Sequence, residues 1–95
     1  MIQEKEKVKA LADDLAKVVA GEVIRSTFDL GFPLFNSDHE GFAILKEEVD
    51  ELWDEVKNKN TDDDANLFVE AIHVAAMAIK FIISKQNRED VERKK

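Results

Sequence analysis

Asn66-Leu67-Phe68-Val69-Glu70-Ala71-Ile72-His73-Val74-Ala75-Ala76-Met77-Ala78-Ile79-Lys80 is apolar almost all the way round a helix. At about 100° per residue, Asn66, Glu70, His73, Met77, Lys80 and, one turn on, Ser84 share one sector. Every other position in the stretch is Ala, Val, Ile, Leu or Phe. A helix apolar on nearly every side is a buried helix. Ionisable groups on such a helix are costly unless they find partners. The stripe therefore predicts a polar counterpart: a facing carboxylate cluster, a metal ion or a wet cleft.

A counterpart lies upstream. Ser37 to Lys59 reads as a second helix whose core face is Phe42, Leu45, Val49, Leu52, Trp53 and Val56, at steps of three and four. Beside that face runs an acidic stripe of Glu47, Glu48, Glu51 and Glu55. Glu48 and Glu55 border the apolar face and can lean toward the core. Glu48 with Glu51, and Glu70 with His73, are each spaced i,i+3, which makes them surface neighbours on their helices. If the helices pack, these four oxygen and nitrogen donors converge.

The rest of the chain fits a single all-α domain over residues 1–95. Hydrophobic residues make up 44% and charged residues 37%, with one Pro, three Gly and no Tyr. At 95 residues the domain is near the small end for an independent core. The expected architecture is an antiparallel bundle of three main helices, completed by oligomerisation into a homodimer or homotetramer. A net charge of −7 argues against nucleic-acid binding through the phosphate backbone. It leaves room for anionic nucleotides, because a bound divalent cation reverses the local sign. The absence of cysteine excludes disulfides, thiol catalysis and zinc-finger chemistry. The N-terminus alternates Lys and Glu where a secretory signal needs an apolar run, so no leader is expected. Glu70, His73 and Lys80 make the last helix a poor membrane span, and the expected location is cytoplasmic.

The first helix is expected from about Gln3 to Asp29, with Val8, Leu11, Leu15, Val18, Val19 and Ile24 at helical spacing. Gly31 and Pro33 end it. The short apolar link from Gly31 to Asn36 is expected to pack on the bundle. Ser37-Asp38-His39-Glu40 has the spacing of a capping box, which starts the second helix. Thr61 is the expected N-cap of a third helix over about 61–86, with Asp62, Asp63 and Asp64 at its positive dipole end. Residues 85–95 are polar and expected to fray.

Glu47-Glu48-x-x-Glu51, followed after a gap by Glu70-x-x-His73, resembles the MazG-like all-α nucleotide pyrophosphohydrolases. That family carries Glu-Glu-x-x-Glu on one helix and Glu-x-x-Asp on a later one. The segments His39 to Trp53 and Glu70 to Met77 also look like the small MazG-like proteins of phages and prokaryotes. The resemblance spans roughly Phe35 to Ile83. It implies Mg²⁺-dependent cleavage of a nucleoside triphosphate to a monophosphate and pyrophosphate. It also implies that Glu48, Glu51 and Glu70 hold the metal, with Glu47 as a supporting ligand or water-orienting carboxylate. Carboxylates with substrate phosphates are the usual Mg²⁺ environment. Lys80, on the stripe of His73, is a candidate for a substrate phosphate, and Trp53 for stacking on a base.

His73 departs from the family pattern. Imidazole is a poor Mg²⁺ ligand and suits Mn²⁺, Fe²⁺ or Zn²⁺. It can equally orient a neighbouring carboxylate. The departure is compatible with an altered site or a degenerate one. Each candidate also has an ordinary reading. Glu-rich faces are commonly solvated, a buried histidine commonly pairs with a nearby carboxylate, a lysine with a glutamate, and a tryptophan with an apolar interface. Asn36 and His39, near a helix start, have capping and surface roles by default. Two further function classes stay open. One is a non-catalytic acidic helical oligomer that binds nucleotide or a protein partner. The other is a carboxylate di-iron bundle built on Glu70-x-x-His73 pairs from two copies.

Overall fold

The computed structural model describes residues 2–58 and 64–94, and these are helical with short connections. Helix α1 spans Ile2–Ile24 and runs into a five-residue π turn, Arg25–Asp29. Helix α2 spans Asp38–Lys57 and helix α3 spans Ala65–Arg93. Helix α3 packs on both of the others. The buried residues of α1, Val19 and Val23, lie in its last two turns.

The first helix was expected to run regularly to Asp29, and the structure widens its last five residues instead. The Leu30 amide donates to the Arg25 carbonyl at 3.0 Å, a five-residue step. Ser26 is buried there, its hydroxyl donating to the Val23 carbonyl at 3.2 Å. Gly31 takes φ +74°, which a side chain disfavours, and the Phe32 amide closes onto the Ser26 carbonyl at 3.0 Å. The chain thereby turns back toward α3.

Phe35 is the anchor of that return. It is 4% exposed. Its amide donates to the Ser84 hydroxyl at 2.9 Å, and its carbonyl accepts from Arg88 Nη1 at 2.6 Å. Lys80 Nζ lies 5.5 Å from the centre of its ring and donates to the Phe32 carbonyl at 2.6 Å. Around Phe35 sit Val19, Val23, Ala76 and Met77, flanked by Ile44, Leu45, Ile72 and Phe81.

Helix α2 begins as its capping residues dictate. The Ser37 hydroxyl accepts from the Glu40 amide at 3.0 Å. The Glu40 carboxylate accepts from Asn36 Nδ2 at 3.3 Å. The expected start of the third helix at Thr61, with Asp62 and Asp63, lies outside the described residues. Asp64 stands at the N-cap of α3 without a side-chain capping bond.

Helix α3 continues to Arg93 through the polar residues for which a frayed tail was expected. Long-range polar contacts hold its last turns. Lys85 Nζ donates to Asp38 Oδ2 at 3.1 Å, and Arg88 bonds both the Phe35 carbonyl and Asp38 Oδ1. Polar composition signalled solvent, but the two cations sit beside an acidic helix start.

Gly41 faces the rings of Phe81 and Phe35. A Cβ at this position would lie 2.7 Å from Phe81 Cδ2 and 2.9 Å from Phe35 Cδ2. A Cβ at Gly21 on α1 would meet no described atom within 4 Å outside its own stretch of helix. Alanine adds about 1 kcal/mol of helix propensity at either position. Overpacking against two rings costs about 1–3 kcal/mol. Gly21→Ala is therefore expected to raise the denaturation midpoint, and Gly41→Ala to lower it. Equal stability of the two variants would contradict the close approach of α2 to Phe35.

Candidate metal centre and adjoining cleft

The polar stripe of α3 meets the acidic border of α2. One ligand atom from each of Glu48, Glu70 and His73 lies within 4.8 Å of the others. His73 Nδ1 is 3.7 Å from Glu48 Oε2 and 3.7 Å from Glu70 Oε2. These separations are too long for hydrogen bonds. Among the described residues, the buried Oε2 atoms of Glu48 and Glu70 meet no hydrogen-bond donor, and each carboxyl lies close enough to the Glu51 side chain to share a proton with it. Two such carboxylate oxygens across from an imidazole nitrogen form a donor set that fits a divalent cation.

The electrostatics agree. Burial, then the charge of Glu51, pushes the Glu48 carboxyl above its ordinary range, while His73 opposes. Glu70 is raised by burial first and then by Glu51. Glu51 itself is exposed, close enough to act on both. Glu55 also acts on Glu70.

A cleft of about 380 Å³ opens beside this cluster. Glu47, Glu48, His73 and Lys80 line it, together with Glu22 and Arg25 of the first helix and its π turn. Lys80 is 1% exposed, and burial lowers its pKa. Its described hydrogen bond goes to the Phe32 carbonyl rather than to a glutamate. Trp53 stands apart from the cleft: it is 56% exposed, with Lys57 Nζ 5.6 Å above its ring. His39 is exposed, and Asn36 serves the start of α2 through Glu40. The cluster thus gathers Glu48, Glu70 and His73, keeps Glu51 beside them, and puts Glu47 and Lys80 in the cleft wall.

Glu22 escaped the sequence reading. Its Oε1 lies 3.6 Å from His73 Nε2. Arg25 donates to both its oxygens, at 2.8 and 2.9 Å. That bonding holds the Glu22 carboxyl below its ordinary range, against the effect of burial. A signal existed in the spacing. Leu15, Val19, Glu22 and Ser26 share one helical stripe, and an acid there faces the core.

Glu48 and Glu70 bind their protons more tightly folded than unfolded. Without metal, their contribution makes stability fall as pH rises from the ordinary 4.5 through the raised folded values. At pH 7 in chelator, Glu48→Gln is expected to raise the unfolding midpoint, and the gain should shrink as the pH is lowered through that window. A lower midpoint for Glu48→Gln under these conditions would show that its charge is well partnered without a cation.

Protein-family models, curated proteins and solved structures provide no match to the chain, so its chemistry rests on the geometry of this site and on the motif spacing.

Proposed function

We propose that the protein is a divalent-metal-dependent nucleoside triphosphate pyrophosphohydrolase of the MazG-like type, releasing a nucleoside monophosphate and pyrophosphate. The observation that carries the reading is the pair of buried Oε2 atoms of Glu48 and Glu70, which meet no donor among the described residues, facing His73 Nδ1. These three residues would hold the cation, with Glu51 as a further carboxylate beside them. The family implies Mg²⁺, and the imidazole extends the choice to Mn²⁺. The cation, when bound, supplies charge neutralisation at the triphosphate and Lewis acidity toward water.

The chain's own residues supply the rest. Glu47, exposed at the cleft wall, is placed to accept a proton from an attacking water. Lys80 and Arg25 bring positive charge to the same cleft, Lys80 from beneath its wall, where it bonds the Phe32 carbonyl, and Arg25 from its pair with Glu22. The apolar walls of Phe35, Ile44 and Met77 exclude water from one side. Trp53, which lies outside this cleft, belongs to the proposal only as a packing surface for a second copy.

Oligomerisation is part of the same reading. The single chain exposes 7514 Å², against roughly 5500 Å² for a compact protein of 10.8 kDa. The excess is of the order that a stable protein interface buries. Its radius of gyration is 16.0 Å, where a compact 95-residue domain has about 12 Å. Val8, Leu11, Leu15 and Val18 of α1 and Phe42 and Val49 of α2 stand exposed. Covering such residues is worth roughly 25 cal/mol per Å². We therefore place the chain in an antiparallel helical bundle completed by a homodimer or homotetramer. Helix α3 is long and apolar enough to cross a membrane by length and composition. Glu70, His73 and buried Lys80 within it favour a core helix, and a cytoplasmic location goes with that.

The same exposed surface favours one second reading, a non-catalytic oligomer that binds nucleotide or a protein partner through the retained cleft. A screen of nucleoside triphosphates for pyrophosphate release, with Mg²⁺ and with Mn²⁺, separates the two. The enzyme reading expects turnover, better with Mn²⁺, lost in Glu48→Gln, and raised with Mg²⁺ in His73→Asp. Inert wild-type and His73→Asp proteins across the panel would leave the binding module as the better account. Sedimentation should give a dimer or tetramer, and a stable monomer at micromolar concentration would overturn the assembly.

A further inference from the structure

We infer that Glu22 of α1 is a positioning residue for His73: it fixes the imidazole so that Nδ1 joins Glu48 and Glu70 as a metal ligand, and it thereby biases the centre toward a first-row transition ion over Mg²⁺. The inference rests on the metal-centre reading of the proposed function. It adds a third helix to a site whose motif lies on two.

The geometry is that of an imidazole held between two kinds of neighbour. Nε2 faces Glu22 Oε1 at 3.6 Å, and Nδ1 faces the buried Oε2 atoms of Glu48 and Glu70 at 3.7 Å each, all three separations longer than a hydrogen bond, so Glu22 acts on the ring through its charge and fixed position. With its proton on Nε2, the ring turns a donor toward Glu22 and a lone pair toward the other two carboxylates. A lone pair aimed at two carboxylate oxygens is repelled unless a proton or a metal ion lies between them. A carboxylate behind a ligating histidine sets its tautomer, holds the ring plane and raises the basicity of the other nitrogen.

Glu22 is built for a fixed role. Its side chain is 16% exposed, and Arg25 grips both carboxylate oxygens, at 2.8 and 2.9 Å. Each oxygen keeps a lone pair for the imidazole N–H. The widened turn that starts at Arg25 follows directly, and Ser26 anchors it in the core. Glu22 therefore cannot swing away from His73 without breaking the Arg25 pair. The resulting donor set is one nitrogen and two carboxylates, a combination suited to Mn²⁺, Co²⁺ or Zn²⁺, whereas Mg²⁺ prefers oxygen throughout.

The test uses the full chain, with Co²⁺ followed by visible absorption and calorimetry, and Mg²⁺ followed by calorimetry. Wild type should bind Co²⁺ more tightly than Mg²⁺. Glu22→Gln should weaken Co²⁺ by about 10–100-fold and leave Mg²⁺ nearly unchanged. His73→Gln should weaken Co²⁺ and alter its absorption band. Adding Glu22→Gln to His73→Gln should bring little further loss, because the residue acts through the ring. Equal weakening of both ions by Glu22→Gln, or full further loss in the His73→Gln background, would show that Glu22 supports the fold and not the imidazole, and would overturn the inference. Co²⁺ binding that depends on Glu48 but not on Glu22 would sink the inference alone. Co²⁺ affinity indifferent to Glu48→Gln would sink the metal centre with it.

Discussion

The docking of Phe35 onto α3 is the contact on which the other arrangements depend. Its backbone is bonded at both ends, by Ser84 and by Arg88, and its ring lies in the small core. An irregular segment can be buried only if its amide and carbonyl find partners, and here both come from side chains of one helix. That anchoring brings the start of α2 against α3, close enough that Gly41 has no room for a side chain. It also brings Asp38 to Lys85 and Arg88, which extends α3 well past its apolar section. From Gly41, two turns of α2 lead to Glu48, so the same contact sets the height at which the glutamate meets His73.

The centre works against the stability of the bare protein. Carboxyl groups from two helices are brought together out of water, and burial with mutual repulsion raises the pKa of Glu48 and Glu70. A fold that retains such a cluster has its compensation elsewhere, in a bound cation or in the histidine. The tension is lopsided. Glu22 is well satisfied by Arg25, whereas among the described residues the Oε2 atoms of Glu48 and Glu70 face no donor, and their carboxylate neighbour is Glu51. The unsatisfied side of the imidazole is the side toward the cleft carboxylates, and that asymmetry gives the site its direction.

Several features were legible without tertiary structure because they are local. The Ser37 cap follows from a hydroxyl three residues before an amide it can accept from. The Gly31 stop follows from a backbone angle that side chains disfavour. The stripe of Glu70, His73 and Lys80 follows from helical geometry alone, and so does the need for a polar counterpart. Glu48 was legible as that counterpart because it borders an apolar face. Glu22 was not singled out, because an acid beside Arg25 reads equally well as a surface ion pair. The stripe it shares with Val19 and Ser26 marks the side that α3 covers, but Val8, Leu11 and Val18 are apolar too and stay exposed, so that stripe does not stand out in the sequence.

The sequence by itself therefore determined the helices, the Ser37 cap and the faces on which charge would meet charge, since periodicity and capping act within a few residues. The tertiary structure decided the partners. It gave Lys80 to the Phe32 carbonyl rather than to a glutamate, left Trp53 on the surface, and carried α3 through a tail whose composition reads as solvent-exposed. It also turned three helix faces toward one imidazole. These outcomes depend on interhelical rotation and on where Phe35 docks, which are set by packing between residues about fifty positions apart. No local pattern encodes a distance of that kind.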